Sequence, residues 1–265
     1  MIKKIKKTAF FALFLYLPFC SMAWGVLGHR IVGQVADSYL TKITKKEIFK
    51  ILGHESVAMV SNWPDFIKSD PAYSYLANWH YINLKAGLSE SELKNYLATD
   101  TATDAYTKIN WLAAQLKNKS LEQEKKALYL RLLIHIVGDI HQPLHIGRYE
   151  DLGGNKIKVS WFKDPSNLHT VWDSKLVDFQ QLSYTEYATA INYTTKAERK
   201  AWQAEPVSEW IWQSYQFADK IYADIKPDEN LEYKYNFKFI GIVNQQLLKG
   251  GVHLAGLLNE IFGPL

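Results

Sequence analysis

The sequence predicts a mainly α-helical protein that folds as one domain and carries a short β-hairpin. Two kinds of periodicity and the lack of a linker support this prediction. Apolar residues recur at helical spacing over residues 28–40, 45–52, 90–117, 121–140, 205–225 and 231–262. Residues 155–161 instead alternate with period two after the Gly153-Gly154 turn, which predicts a strand pair. No stretch rich in Pro, Gly or Ser marks a second domain.

The first 23 residues have the three parts of a secretory signal peptide. Four lysines lie near its start, an apolar run covers residues 8–19, and a small-residue segment ends at Ala23. The apolar run is shorter than the ~20 residues of a transmembrane helix, so we expect cleavage after Ala23 and no membrane anchor. The alternative is lipidation at Cys20, the single cysteine. Cleavage leaves residues 24–265 as one exported domain, periplasmic or secreted, without disulfide bonds.

The net charge limits how this domain can bind nucleic acid. The chain has 31 basic and 27 acidic residues, and the four leader lysines account for the whole excess. The near-zero net charge of this domain therefore does not support a broad basic surface for the backbone of a duplex. Recognition of phosphate must therefore be local, with cations in a pocket supplying the positive charge.

The segment from residue 128 to residue 145 carries the clearest chemical signal. It is apolar on nearly all sides, which predicts a buried helix. His135 and Asp139 lie four residues apart, on one helix face, and a buried carboxylate needs a counter-charge or a metal ion. A hydrogen-bonded His-Asp pair in the core is an equally good interpretation of this segment alone. Pro143 ends the helix, so His145 comes from the turn that follows.

Further histidines and acids lie in aromatic surroundings elsewhere in the chain. His169 and Asp173 repeat the spacing of four residues. Asp65 ends a Trp-Pro-Asp segment, His80 lies within Asn-Trp-His-Tyr, and His29 follows the predicted cleavage site closely. A mixture of imidazole and carboxylate ligands without thiols favours zinc over calcium or magnesium.

Together these motifs resemble a known family. Along the chain they are Trp-Gly-x-x-Gly-His from Trp24, Trp-Pro-Asp, Trp-His-Tyr, His-x-x-x-Asp-x-His-Gln-Pro-Leu-His from His135, and Asn-Leu-His-x-x-Trp-Asp ending at Asp173. This order resembles the three-zinc, single-strand-specific nucleases of fungi, plants and bacteria, which share a superfamily with zinc phospholipase C. The resemblance extends from Trp24 to Asp173 and implies the multi-helix phospholipase C/nuclease-like fold.

The resemblance implies three Zn²⁺ ions with assigned ligands. The first ion would bind Asp65, His80, His135 and Asp139. The second would bind the free amine and the carbonyl of Trp24, together with His29 and the shared Asp139. The third would bind His145, His169 and Asp173. Cleavage after Ala23 would then create a ligand, because an amide nitrogen cannot coordinate as a free amine does.

The implied activity is an endonuclease that hydrolyses single-stranded DNA and RNA to 5′-phosphate products, acting as a monomer. Asp65 and Asp139 would be catalytic as well as metal ligands. Lys68 would also be catalytic and would contact phosphate where the family often has an arginine. Asn83, which stands where fungal members have a carboxylate, would likewise belong to the substrate-binding residues. Tyr81 would stack on a base, with core packing as the alternative. Binding of nucleotides is implied too, whereas 3′-nucleotidase activity and the preference between DNA and RNA stay open.

Two other functions compete with this prediction. A zinc phospholipase C is the enzymatic alternative, but those enzymes have a longer interval than the one from Trp24 to His29 and a glutamate in place of Asp173. A structural or metal-sequestering site is the second alternative. It is disfavoured because only three protein side chains are assigned to the third ion, whereas structural sites are normally closed by four. We assign no metal to His54 or His253, which lack acidic partners at ligand spacing, and expect His141 to support the ligands.

Overall fold

Helices dominate residues 24–263, the part of the chain that the computed structural model describes. The α-helices are α1 (Val26–Tyr39), α2 (Lys42–Leu52), α3 (Val57–Val60), α4 (Trp63–Phe66), α5 (Glu90–Thr99), α6 (Ala105–Leu116), α7 (Gln123–Asp139), α8 (Leu168–Thr170), α9 (Leu176–Asp178), α10 (Tyr184–Ile191), α11 (Lys196–Gln203), α12 (Val207–Asp224) and α13 (Tyr233–Phe262). Ile67–Ser69, Pro71–His80 and Pro143–Ile146 are 3₁₀ helices, and Val171–Lys175 is a π-helix between α8 and α9. The mainly α prediction is confirmed.

Five of the six predicted helices correspond to α1, α2, α7, α12 and α13. The prediction of one helix over residues 90–117 is wrong, because the chain leaves the helix between α5 and α6. There Asp100 accepts the backbone N–H of Ala102, and Asp104 accepts that of Thr107 to cap α6. Short acidic side chains that bond nearby backbone compete with the helix in this way. Helices α10 and α11 were not predicted, and each begins with a capping box.

The longest helix, α13, packs along α1, and both contact α7 in the centre of the molecule. The close approach of α13 to α1 depends on glycine, because a Cβ on Gly251 would lie 2.5 Å from the Cβ of Val35. Every side chain of α7 from Leu132 to Asp139 is buried, as the apolar pattern predicts. The helix that carries the His135-Asp139 pair therefore runs through the core.

The small sheet has one strand more than predicted. Strand β1 (Lys158–Trp161) pairs antiparallel with β2 (Asp164–Asn167), and β3 (Asn230–Leu231) pairs parallel with β1. The two-residue turn between β1 and β2 is formed by Phe162 and Lys163, both at positive φ. The strand pair is thus confirmed, although β1 begins three residues later than the alternating segment.

The predicted signal peptide lies outside the described residues. Within residues 24–263, no helix has both the length and the apolar character that crossing a membrane requires.

Candidate metal centre

The first candidate group forms around the C-terminal end of α7. His135 and Asp139 face the same way, with Nε2 of the histidine 3.3 Å from Oδ2 of the acid. His80, the last residue of its 3₁₀ helix, places Nδ1 3.0 Å from both of those atoms. Asp65 on α4 places Oδ1 3.7 Å from Nε2 of His135. The four side chains predicted to share one metal ion therefore converge.

The second candidate group lies beside the first and includes His29 on α1. Its Nε2 is 3.3 Å from Oδ1 of Asp139, and its ring stacks on His135 at a centroid distance of 3.9 Å. Trp24 is fully buried and packs one turn earlier, against Gly28. The next residue, Gly25, donates its N–H to the carbonyl of Asp173 at 2.7 Å. The start of the described chain is thus fixed next to the predicted ligands.

The third candidate group combines a 3₁₀ helix with the π-helix. His145 Nε2 is 3.6 Å from Oδ1 of Asp173, and His169 Nε2 is 3.3 Å from Oδ2 of the same acid. Asp173 lies in the π-helix Val171–Lys175, and such π segments are frequent at functional sites. The structure brings together every predicted ligand of this group.

Backbone carbonyls orient three of the histidines. Nδ1 of His135 donates to Ser61 O at 2.6 Å, Nδ1 of His145 to His80 O at 2.7 Å, and Nδ1 of His169 to Gly153 O at 2.6 Å. Because a carbonyl only accepts, Nδ1 carries the proton in each ring and Nε2 has a free lone pair. This is the arrangement that metal-binding histidines need.

Several of the buried polar atoms that face these groups have no hydrogen bond within residues 24–263. They are both ring nitrogens of His29, Nε2 of His145, Nε2 of His169 and Oδ1 of Asp139. Buried polar atoms are rarely left without a partner unless an ion or water binds them. Three sets of ligand atoms lie within 4.8 Å of one another: His29 with Asp65 and His135, His80 with His135 and Asp139, and His145 with His169 and Asp173. The residues present fit bound metal ions.

Burial sets the protonation of the ligands in the metal-free chain. It raises the pKa of Asp139 and of Asp173 to about 7. It lowers the pKa of His80 to about 3 and also lowers the pKa of His135 and His145. The imidazoles are therefore neutral at neutral pH, and the two acids readily exchange a proton for a metal cation.

Lys68 stands beside Asp65 at the edge of the first group. Its Nζ is 2.5 Å from Oδ1 of Asp65. Burial opposes ionisation of Asp65, but the neighbouring His135 and Lys68 together lower its pKa. Asp65 is consequently a carboxylate at neutral pH, held between a cation and the candidate ligands.

A cleft of about 1250 Å³ opens over the candidate metal groups. His80, His145 and His169 line it, as do the three predicted substrate-binding residues Lys68, Tyr81 and Asn83. Tyr81 is 36% exposed, so the alternative that it packs in the core is wrong. Three lysines that the sequence analysis did not single out, Lys156, Lys158 and Lys175, also line the cleft. Lys156 and Lys158 lie on alternate positions of the predicted strand segment, which was the one available signal for them, whereas no sequence pattern pointed to Lys175.

Two polar contacts near the candidate groups were not predicted. Gln142 is fully buried, donates to Oδ1 of Asp173 at 2.5 Å and accepts the N–H of Leu144 at 2.6 Å. Within residues 24–263, the His141 ring hydrogen-bonds Val137 O and His253, neither of which is a candidate ligand, and His253 in turn contacts Glu205 at 3.2 Å. His253 therefore has an acidic partner, Glu205, which is 48 residues away in the sequence and outside the ligand spacing considered above.

Comparison with known proteins identifies the family. A model described as S1/P1 Nuclease matches residues 24–263. The chain belongs to the S1/P1 nuclease family. The resemblance drawn from the motifs is confirmed, and the match begins at Trp24, the residue that the predicted cleavage would expose.

Curated relatives of this S1/P1 nuclease family member come from plants and fungi. The chain is 29% identical to Endonuclease 3 of Arabidopsis thaliana over 91% of its own length and 90% of the relative's. It is 29% identical to Nuclease P1 of Penicillium citrinum, over 91% and 98% of the two chains. It is also 31% identical to Nuclease S1 of Aspergillus oryzae, over 58% and 54%.

Proposed function

We propose that this chain is a zinc-dependent endonuclease that hydrolyses phosphodiester bonds in single-stranded DNA and RNA and leaves 5′-phosphate ends. One observation carries the proposal: eight His and Asp side chains from distant parts of the chain gather in three groups beside one cleft. Membership of the S1/P1 nuclease family gives this cluster its chemical context.

The proposed metal content is three zinc ions. Asp65, His80, His135 and Asp139 would hold the first ion. The Trp24 amine and carbonyl, His29 and Asp139 would hold the second. His145, His169 and Asp173 would hold the third. Residues 24–263 contain no cysteine, and imidazole with carboxylate is a donor set that zinc accepts. Three protein side chains leave room for a further ligand at the third ion, which supports catalysis over a structural role.

The chain's own residues prepare the hydrolysis. Bound zinc lowers the pKa of water and neutralises charge on phosphoryl oxygens. Asp65, kept ionised by the neighbouring Lys68 ammonium, is placed to accept a hydrogen bond from a water molecule and to orient it. The Lys68 ammonium is placed to contact the phosphate as a point charge, without the two-pronged geometry of arginine. Asp139 is fully buried, so bulk solvent does not reach the carboxylate that two of the proposed ions would share.

The shape and charge of the cleft favour a single strand. Lys68, Lys156, Lys158 and Lys175 supply local positive charge on a protein whose predicted mature form is neutral overall. Tyr81 presents an exposed ring at the cleft on which a base can stack. A flexible strand reaches the recessed histidines, whereas a stiff duplex does not.

Export completes the proposed site. Cleavage after Ala23 frees the Trp24 amine in the periplasm or outside the cell, where the enzyme acts as a monomer on nucleic acid and nucleotides. Since Trp24 is already buried and Gly25 is bonded to Asp173, the new terminus stays beside the ligands.

The test is hydrolysis by the exported, processed chain. We expect cleavage of denatured DNA and of RNA, slower cleavage of duplex DNA and no release of headgroups from phosphatidylcholine vesicles. The Asp139→Asn variant should lose activity, whereas Asp224→Asn, which alters a surface ion pair with Lys238, should keep it. Turnover of lipid alone would favour the phospholipase C alternative and refute the proposal.

A further inference from the structure

A continuous set of aromatic rings extends from the cleft across the neighbouring surface. We propose that this set binds the substrate strand beyond the metal centre and so enlarges the enzyme's footprint on nucleic acid. The set, called the aromatic array here, comprises Trp63, Tyr73, Tyr75, Trp79, Trp111 and Tyr129. The inference rests on the proposed nuclease function, because the array would bind a further part of the same nucleic-acid substrate.

Each ring of the aromatic array contacts the next. Tyr73 stacks on Tyr75 at 6.4 Å, and Tyr75 meets Trp79 edge-on at 5.8 Å. Trp79 meets Trp111 at 6.1 Å, and Trp111 meets Tyr129 at 5.0 Å. The array thus links the 3₁₀ helix that ends at the candidate ligand His80 with helices α6 and α7.

The array meets the cleft at Tyr73, and its two exposed rings, Tyr75 and Trp111, lie on either side of the buried Trp79. Tyr73 lines the cleft itself. Tyr75 is 53% exposed and Trp111 is 38% exposed, although both belong to the large apolar residues that folding tends to bury. Exposed aromatic rings that are grouped around one buried ring, unlike single exposed apolar residues, are typical of binding surfaces.

A cation lies within the array. Lys108 places Nζ 4.7 Å from the centre of the Trp79 ring and 5.4 Å from that of Trp111. Its contacts within residues 24–263 are with these two rings and not with a carboxylate, so its charge is available to an anionic ligand. At the Trp63 end, the Arg131 guanidinium lies 5.8 Å from the ring and pairs with Glu55.

These features favour one occupant, a single strand that leaves the cleft. Rings bind bases of any sequence by stacking, and a cation between them binds phosphate, which is the combination that single-strand-binding surfaces use. Because Tyr73 lines the cleft and contacts Tyr75, a strand with one phosphate at the metal groups can continue from the cleft onto the exposed rings of the array. A duplex keeps its bases stacked internally and gains nothing from these rings.

Substrate length separates the array from the metal centre. The zinc-loaded, processed enzyme is compared on dithymidine monophosphate, which fits within the cleft, and on oligothymidylate of about twelve nucleotides, which reaches the array. For Tyr75→Ala and for Trp111→Ala we expect KM for the longer substrate to rise about tenfold, with kcat/KM for the dinucleotide unchanged. Lys108→Gln should raise KM for the longer substrate at low salt and have less effect at high salt.

Tyr193→Ala is the matched control, because Tyr193 is 74% exposed and belongs to no contact of the array. Its KM for both substrates should equal that of the unaltered enzyme. The inference is overturned if the unaltered enzyme has the same KM for both lengths, or if the three array variants leave KM for the longer substrate unchanged. It is also overturned if the variants lose thermal stability and dinucleotide hydrolysis together, because the array would then serve folding only. An unaltered enzyme that cuts neither substrate refutes the proposed function instead.

Discussion

Replacing Gln142 with leucine tests whether a buried amide positions a proposed zinc ligand. Gln142 donates to Oδ1 of Asp173 at 2.5 Å and accepts the Leu144 N–H at 2.6 Å. It therefore connects Asp173 to the turn that carries His145, so that two of the three proposed ligands of one ion depend on it. Leucine fills similar space but makes neither hydrogen bond.

The expected losses follow from those two bonds. Leaving the Leu144 N–H and an oxygen of Asp173 without a partner costs about 1–3 kcal/mol each, and we expect a combined loss of about 3 kcal/mol. For a chain of this size that lowers Tm by about 6–12 °C. Loss of a residue that orients a metal ligand weakens metal binding by about 10–100-fold. Chelator competition and thermal unfolding measure the two effects.

Gln246→Leu is the matched control. Gln246 is equally buried and donates to His141 O and to Ser214 Oγ, both at 2.9 Å, without touching a proposed ligand. It should lose stability to a similar extent while zinc affinity stays within about twofold, because its partners are not ligands. If both variants bind zinc equally well, Gln142 has no role in positioning Asp173 and the reasoning is wrong.

Three further changes test other parts of the site. Lys68→Ala should lower kcat by about 10²–10³-fold because a cation near the phosphate is lost, and Lys68→Arg should retain most activity; equal kcat for Lys68→Ala and the parent enzyme contradicts this. Burial raises the pKa of Asp139 and of Asp173 to about 7, so both acids are protonated at lower pH. Zinc affinity should therefore fall about tenfold per carboxyl for each pH unit below 7. Calorimetry at several pH values measures this dependence. A chain with one extra residue before Trp24 should bind two zinc ions instead of three and lose activity, whereas full metal content and activity would exclude the Trp24 amine as a ligand.

Local patterns in the sequence predicted the helix that carries His135 and Asp139, because apolar periodicity and a spacing of four residues are properties of one helix. The meeting of Asp65, His29 and His80 with that helix is a long-range result, and only the family resemblance anticipated it. Apolar periodicity gave the wrong helix over residues 90–117, because the hydrogen bonds that Asp100 and Asp104 accept from the backbone divide this segment into two helices. A pattern of apolar spacing does not register such side-chain competition with the backbone.

The contacts that surround the ligands were the least predictable. Gln142 stood within a recognised motif, but nothing in its neighbours indicated that its amide reaches Asp173. The bond between His253 and Glu205 joins residues 48 positions apart, so spacing along one helix could not find it. Lys156 and Lys158 come from one segment and Lys175 from another, and only the fold brings them together with Lys68 as lining residues of one cleft. Each of these depends on the packing of separate elements.

Diffraction at the zinc absorption edge from crystals of the exported, processed protein tests the central claim most directly. Three anomalous peaks are predicted: one among Asp65, His80, His135 and Asp139, one joining the Trp24 amine to His29 and Asp139, and one among His145, His169 and Asp173. A protein whose N-terminus is Trp24 but which shows no zinc at these groups, or binds it elsewhere, would contradict the account.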